Sequence, residues 1–197
     1  MRYFNSLPKI RYLDDNNIVT VYTNLLTRAS VKPSILNNNI VFYDYDVQDE
    51  DTPEIIAYKY YGDVNRFWIV LYCNQINDAQ WDWPLSSSKF EKFVKNKYPN
   101  SLYDIHHYEK IITSTNLTTK AVNVEKYVIS LEDYNDLVLD ETFPHTIGEE
   151  TISMNVRKTT VSNYEYELTV NESKRKIKIL NKSYVDIFET QFMELMK

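Results

Sequence analysis

Three histidines, one cysteine and 28 acidic residues are the groups in this 197-residue chain that chemistry can recruit. His106 and His107 are adjacent, and a β-strand sends neighbouring side chains to opposite faces, so the pair is not expected to chelate one ion. His145 stands in a polar stretch, and neither an HxH nor an HExxH spacing occurs. The carboxylates of Asp49–Asp51 and Glu149–Glu150 have the types needed for acid and base in glycan cleavage. That chemistry requires one carboxyl's pKa to be set apart from its partner's, and nothing in the surrounding residues does so; solvated loops are expected. The chain's two glycines cannot supply a phosphate-cradling or dinucleotide-binding loop, and no serine-nucleophile motif occurs. No enzyme activity, metal or cofactor is expected.

Composition narrows the alternatives further. A net charge of −6 and a pI near 5.1 argue against phosphate-backbone binding, so no nucleic-acid partner is expected. The basic run Lys174–Lys178 alternates with isoleucine and predicts an edge strand rather than a nucleic-acid patch. Cys73 has no partner for an intramolecular disulfide and sits in an apolar run, as a buried small hydrophobe does. That run, Phe67–Cys73, is too short to cross a bilayer, and no signal pattern opens the chain; a soluble intracellular product is expected. The 17 tyrosines are the compositional oddity. A large apolar face with a polar tip suits either a core or a surface buried against a partner.

The elements that position these residues are clearest at Asp51–Asn74. Thr52 is a good N-cap and Pro53 suits the first helical position. Ile55, Ile56, Tyr58 and Tyr60 supply apolar spacing, and Gly62 falls where a left-handed C′ residue is wanted. Asp63 caps a second helix with Val64, Phe67, Trp68 and Leu71 at i, i+3, i+4 and i+7. Upstream, Met1–Leu13 reads as an extended arm, Ile18–Thr23 as a strand, Asn24–Ser30 as a helical turn, and Ile40–Val47 as an alternating strand. Downstream come the aromatic turn Trp81–Pro84, a helix over Lys89–Tyr98 capped by Ser88, and strands at Leu102–Ile112 and Ala121–Leu131. The acidic stretch through Phe143–Glu150 is expected to be the least ordered. Val161–Val170 alternates and predicts a strand, Arg175–Leu180 predicts another, and Ser183 caps a terminal amphipathic helix.

The series Asp51, Thr52, Ile56, Ala57, Tyr60, Tyr61, Gly62, Asp63, Trp68 and Asn74 resembles the signature of the LysM module. The resemblance implies a strand–helix–helix–strand unit whose two strands pair, opened here by Ile40–Val47. The closing strand does not follow helix 2; RKIKIL at Arg175–Leu180 is similar to it, which makes roughly Gln75–Ser173 an insertion. This order, with "W.W" soon after helix 2, NESKRKIKIL near the end and MRYFNSLPKIRYL and TNLLTRASV at the start, resembles the LysM-containing baseplate wedge protein of T4-like contractile-tailed bacteriophages.

The expected fold is therefore α+β. Residues 1–39 form an N-terminal arm and strand segment, 40–74 with 174–181 the LysM-like module, 75–173 an insertion, and 182–197 a C-terminal helix. The resemblance implies a structural component of the virion tail baseplate, assembled in the host cytoplasm. It would join neighbouring wedges into a closed sixfold ring by contacts with other wedge proteins. Tyr3, Phe4, Tyr12, Trp81, Trp83 and Phe192 are the candidate partner-binding residues. The alternative is a peptidoglycan-binding module serving a cell-wall hydrolase. The family's glycan groove would lie between Gln48–Pro53 and Asn74–Asp78, where the insertion's tryptophans crowd it, so glycan binding is not favoured.

Overall fold

The computed structural model describes residues 3–5, 7–13, 15, 18–27, 30–31, 35, 37–38, 40–137, 143–147 and 150–196. The architecture is α+β, and the chain divides into two units, one of residues 1–87 with 171–197, the other of residues 88–170.

In the first unit, β1 (Lys9–Leu13) and β2 (Val19–Thr23) form an antiparallel hairpin, and β3 (Phe42–Asp46) follows. Where an extended arm was expected, the chain opens with a 3-10 turn at Tyr3–Asn5 and then this hairpin. Helix α1 (Pro53–Tyr61) starts at Thr52, whose side chain accepts from the Ile55 amide, and stops at Gly62, whose φ of 71° is the left-handed value a Cβ disfavours. Its buried face is Pro53, Ile56, Ala57 and Tyr61. The expected apolar stripe is thus shifted, and Ile55, Tyr58 and Tyr60 point outward. Asp63 caps a 3-10 turn, Val64–Arg66, which runs into α2 (Phe67–Cys73). Val64 is exposed, Phe67 is half-buried, and Trp68, Ile69, Val70 and Cys73 face the core.

The second unit begins within α3 (Ser87–Lys97), followed by β4 (Ile105–Asn116), β5 (Val122–Ile129), α4 (Leu131–Asp136), β6 (Phe143–Ile147) and β7 (Glu150–Ser162). The four strands form one antiparallel sheet in the order β5-β4-β7-β6. The acidic stretch, expected to be the least ordered part in isolation, contains a helix capped by Ser130 and a strand that pairs with β7; residues 138–142 and 148–149 lie outside the described residues.

Helix α5 (Asn163–Ser173) occupies the segment expected to be a strand. The alternation of Tyr164, Tyr166, Leu168 and Val170 is overridden by a capping box. Ser162 Oγ accepts from the Glu165 amide, and Glu165 Oε2 accepts from the Ser162 amide at 2.8 Å. Within this unit Glu167 is buried and accepts from Lys97 Nζ at 2.6 Å and Tyr98 Oη at 3.0 Å.

The chain returns to the first unit as β8 (Lys176–Leu180), which pairs antiparallel with β3, and ends in α6 (Val185–Leu195). The register sets Phe42 opposite Leu180 and Tyr45 opposite Ile177. Ile177, Ile179 and Leu180 are buried with Phe42, Ile56, Ile69, Val70, Val185 and Phe192 in one core. The other edge of β8 is closed by a side chain. Asn74 Oδ1 accepts from the Lys178 amide at 2.7 Å, and its Nδ2 donates to the Lys178 and Val70 carbonyls, each at 2.8 Å. One carboxamide thus replaces a neighbouring strand at the residue whose backbone groups face away from β3.

Asn74→Asp keeps the acceptor and loses both donor bonds, leaving two part-buried carbonyls facing a carboxylate. We expect it to lower stability by about 1–3 kcal/mol, read as a reduced urea midpoint with an unchanged slope.

Candidate interaction surface

The aromatic residues singled out in the sequence fall into two groups. Phe192 is 2% exposed and Trp83 is 8% exposed, so both side chains are used inside the first unit. Phe4 at 63%, Tyr12 at 57% and Trp81 at 68% are open to solvent. Tyr3 is half-buried and joins the groups: its ring lies 5.5 Å from Trp68, 5.7 Å from Phe192 and 5.4 Å from Phe4. Trp68, Tyr72 and Phe192 pack against one another at 4.8–6.2 Å in tilted and edge-to-face pairs. The opening turn is therefore seated on α2 and α6. An open groove of about 670 Å³ runs beside it, lined by Tyr3, Phe4, Phe67, Trp68, Leu71, Tyr72 and Ile76 with Ser30, Asn65, Gln75 and Asn77 at its polar positions.

The hairpin carries a second apolar surface. Ile10, Tyr12, Leu13, Val19, Val21 and Tyr22 are all exposed. In this register Ile10, Tyr12 and Tyr22 share one face, while Leu13, Val19 and Val21 share the other with Lys9 and Arg11. An antiparallel ribbon of two strands with apolar residues on both faces is marginal in water without something packed on it.

Two of the carboxylates considered for acid–base work, Asp49 and Asp51, are held in hydrogen-bond networks. Asp49 accepts from the Ser87 hydroxyl and amide and from Arg175 Nη2 at 2.8 Å; those Ser87 bonds, then Arg175, hold its carboxyl below the usual range. Asp51 is buried, which alone would raise its pKa. The bonds from Lys59 Nζ, Tyr45 Oη and the Gln48 amide outweigh that effect and keep it low. The Glu149–Glu150 side chains lie outside the described residues. Cys73 is buried, which pushes its thiol up to about 12 and keeps it from acting as a nucleophile.

His106 and His107, expected on opposite faces, meet at a bulge in β4 and approach Nδ1 to Nδ1 at 2.8 Å. His145 has no described side chain. No group of three or more His, Cys, Asp or Glu able to hold a metal occurs among the described residues, and no described helix is long and apolar enough to cross a membrane.

Several organising residues carry no local signal of their importance. Arg175 donates to the Val47 carbonyl, Asp49 and Glu172. Asn171 brackets Leu85, accepting from its amide at 2.7 Å and donating to its carbonyl at 3.1 Å. Trp83 Nε1 donates to the Asp51 carbonyl at 3.0 Å, which sets the indole against the loop between β3 and α1. Only their partners, more than thirty positions away in every long-range case, make these residues identifiable.

Exposed aromatic and apolar side chains gathered on the first unit are the feature that stands out among the described residues. The chain belongs to the base plate wedge protein 53 family of bacteriophages, whose model matches residues 4–195. It is thus a structural viral protein of the tail baseplate in the virion, where its contacts are with other baseplate proteins. No curated protein matches it.

Asp51→Asn removes the charge that Lys59 and Tyr45 hold. Because the folded carboxyl is depressed, its contribution is complete above the unfolded pKa of about 3.9 and disappears as pH falls through the lower folded value. The substitution should cost about 1–3 kcal/mol at pH 7. Thermal melts of both proteins should draw together as pH falls below about 4 and through the lower folded value; a gap that stays constant into acid contradicts this account.

Proposed function

We propose that the protein joins neighbouring baseplate wedges into the closed sixfold ring of a T4-like contractile tail, using the first unit as a LysM-like scaffold. The observation that carries this reading is the hairpin β1–β2, which exposes apolar side chains on both faces. A wedge protein that presents such a ribbon gains burial when an adjacent wedge closes over it, and Lys9 and Arg11 on one face favour an acidic rim on that partner. Phe4 and Trp81 extend the contact. Tyr3, Trp83 and Phe192 hold the surface from beneath, because each packs within the first unit. The strand–helix–helix–strand order, with β3 and β8 paired, supports the LysM-like description.

A peptidoglycan-reading role is not favoured. A glycan groove at Gln48–Pro53 and Asn74–Asp78 needs open backbone groups. Here Trp83 takes the Asp51 carbonyl, and Asn74 is engaged with Lys178.

Removal of Met1–Leu13 should leave wedges unable to close into rings. Because Tyr3 also packs on Trp68, the sharper variant is Tyr12→Ser with Val21→Thr, both at exposed positions. Its melting behaviour should stay within about 0.5 kcal/mol of the native protein, while ring formation from purified wedges drops sharply. Rings that form at the native rate and stability with both variants sink the proposal.

A further inference from the structure

The sheet of the second unit ends in β5 on one side and β6 on the other, and the two edges differ. At the β4–β5 turn the Asn116 amide donates to the Ala121 carbonyl at 2.9 Å, so those residues form a hydrogen-bonded pair. Such pairs alternate along an antiparallel ladder, which assigns Asn123, Glu125, Tyr127 and Ile129 to bonds with β4. Val122, Val124, Lys126 and Val128 therefore turn their N–H and C=O groups away from the sheet. At the other edge the Leu117 amide donates to the Thr151 carbonyl at 2.9 Å, and the same alternation leaves Pro144 and Thr146 of β6 facing outward. Pro144 has no N–H to offer, which blocks that edge. β5 is eight residues long against five for β6, and it contains neither Pro nor Gly. Its side chains are as open as its backbone. Val122, Val124 and Val128 are exposed and share one face with Lys126. On the opposite face Glu125 is engaged by its own strand, accepting from Asn123 Nδ2 at 3.1 Å and from Tyr127 Oη at 2.6 Å. Lys126 has no acidic partner among the described residues.

We propose that β5 accepts an extended segment of another baseplate protein as a further strand, antiparallel like the rest of the sheet. The outward backbone groups supply the main-chain bonds, and the open row of side chains sets the chemistry of the segment. From its N-terminus, the segment carries an apolar residue opposite Val128, an acid opposite Lys126, and apolar residues opposite Val124 and Val122, at alternate positions. A second copy of β5 is a poor occupant. Two-fold pairing through all the outward residues sets Glu125 directly opposite its own counterpart. A two-residue slip in either direction leaves a valine unpaired, and one of those slips sets Lys126 opposite its counterpart. Like charges directly opposite destabilise a sheet, so a strand of different sequence fits better. A long apolar edge left open invites aggregation, which an obligatory partner prevents. This edge belongs to the second unit, so the inference stands apart from the reading of the hairpin.

Binding of the full chain to purified wedges assembled without it tests the edge. Val124→Pro removes an outward donor while sparing the bonds to β4, and Val124→Ala keeps that donor and trims the side chain. The proline variant should bind at least about tenfold more weakly than the alanine variant. Lys126→Glu should weaken binding about tenfold through repulsion of the facing acid. Equal affinity of the two Val124 variants overturns the added strand, and native affinity of Lys126→Glu overturns the acid. Should the proline variant fail to fold, residue-resolved amide exchange on the native chain decides. Free in solution, the amides of Asn123, Glu125 and Tyr127 should exchange slowly and those of Val122, Val124, Lys126 and Val128 rapidly. In the wedge complex the second set should slow at least about tenfold. Outward amides that exchange as fast in the complex as in the free chain refute the proposal.

Discussion

Everything in the first unit depends on β3 meeting β8. The two strands are brought together across a long loop: Val47 and Arg175, 128 positions apart, exchange backbone and side-chain hydrogen bonds just beyond the paired residues. Closing a flexible loop of that length costs roughly 4 kcal/mol in entropy before any contact repays it. Ladder bonds of a two-stranded sheet do not offset that cost by themselves, since such a pair is marginal in water. The offset comes from burial. Phe42 on β3 and Ile177, Ile179 and Leu180 on β8 complete a core that α1, α2 and α6 leave open. Burying one such side chain contributes about 1.5–3 kcal/mol, so the group outweighs the loop term.

That constraint explains where the polar side chains are spent. A two-stranded sheet has two open edges, and an insertion needs its entry and exit held together. Asn74 closes one edge at Lys178 with both ends of its carboxamide. Asn171 does the same for Leu85, so the chain departs and returns within hydrogen-bond distance. Asn suits both places because it offers donor and acceptor in the geometry of a peptide group. Arg175 works across the same opening. Its guanidinium reaches the Val47 carbonyl and Asp49, and Asp49 in turn holds Ser87. These bonds contribute modestly to net stability, about 1 kcal/mol each. Their larger effect is on register, since a slip of one residue in β8 would turn Ile177 and Ile179 outward.

The sequence made local structure legible wherever the signal was local. Thr52, Pro53 and Gly62 mark both ends of α1 because capping acts within a few residues, and Asp63 does so for the next turn. The pairing of RKIKIL with the earlier aromatic strand could be inferred only through the family resemblance, since nothing in six residues names a partner so far away. The failures have physical causes too. At Tyr164–Val170 two periodicities competed, and the Ser162–Glu165 capping box, four residues that bind one another, prevailed over alternation. At His106 the rule that neighbours oppose across a strand failed because a bulge adds a residue, and bulges leave little trace in composition. Among the candidate contacts, an aromatic residue alone does not say which side of the surface it takes. Trp81 and Trp83 are two positions apart, and one is exposed while the other donates into the β3–α1 loop.

The same division bears on how a module of this shape serves assembly. Capping, edge closure and the core engage many of the first unit's polar and apolar groups, and much of its exposed apolar surface lies in segments added to it. The hairpin and the opening turn lie ahead of β3, and Trp81 follows α2 in the stretch that leads out of the unit. Two of these segments are tethered to the core by defined contacts: Tyr3 on Trp68 and Phe192 for the opening turn, and the Lys174 ammonium on the Trp81 carbonyl for the aromatic turn. A tethered segment keeps its apolar side chains outward at low conformational cost, so the ordering entropy that would weaken a flexible arm is largely spent before a partner arrives. That is the physical advantage of building contact surface onto a small closed core: the core supplies rigidity, and the additions supply area.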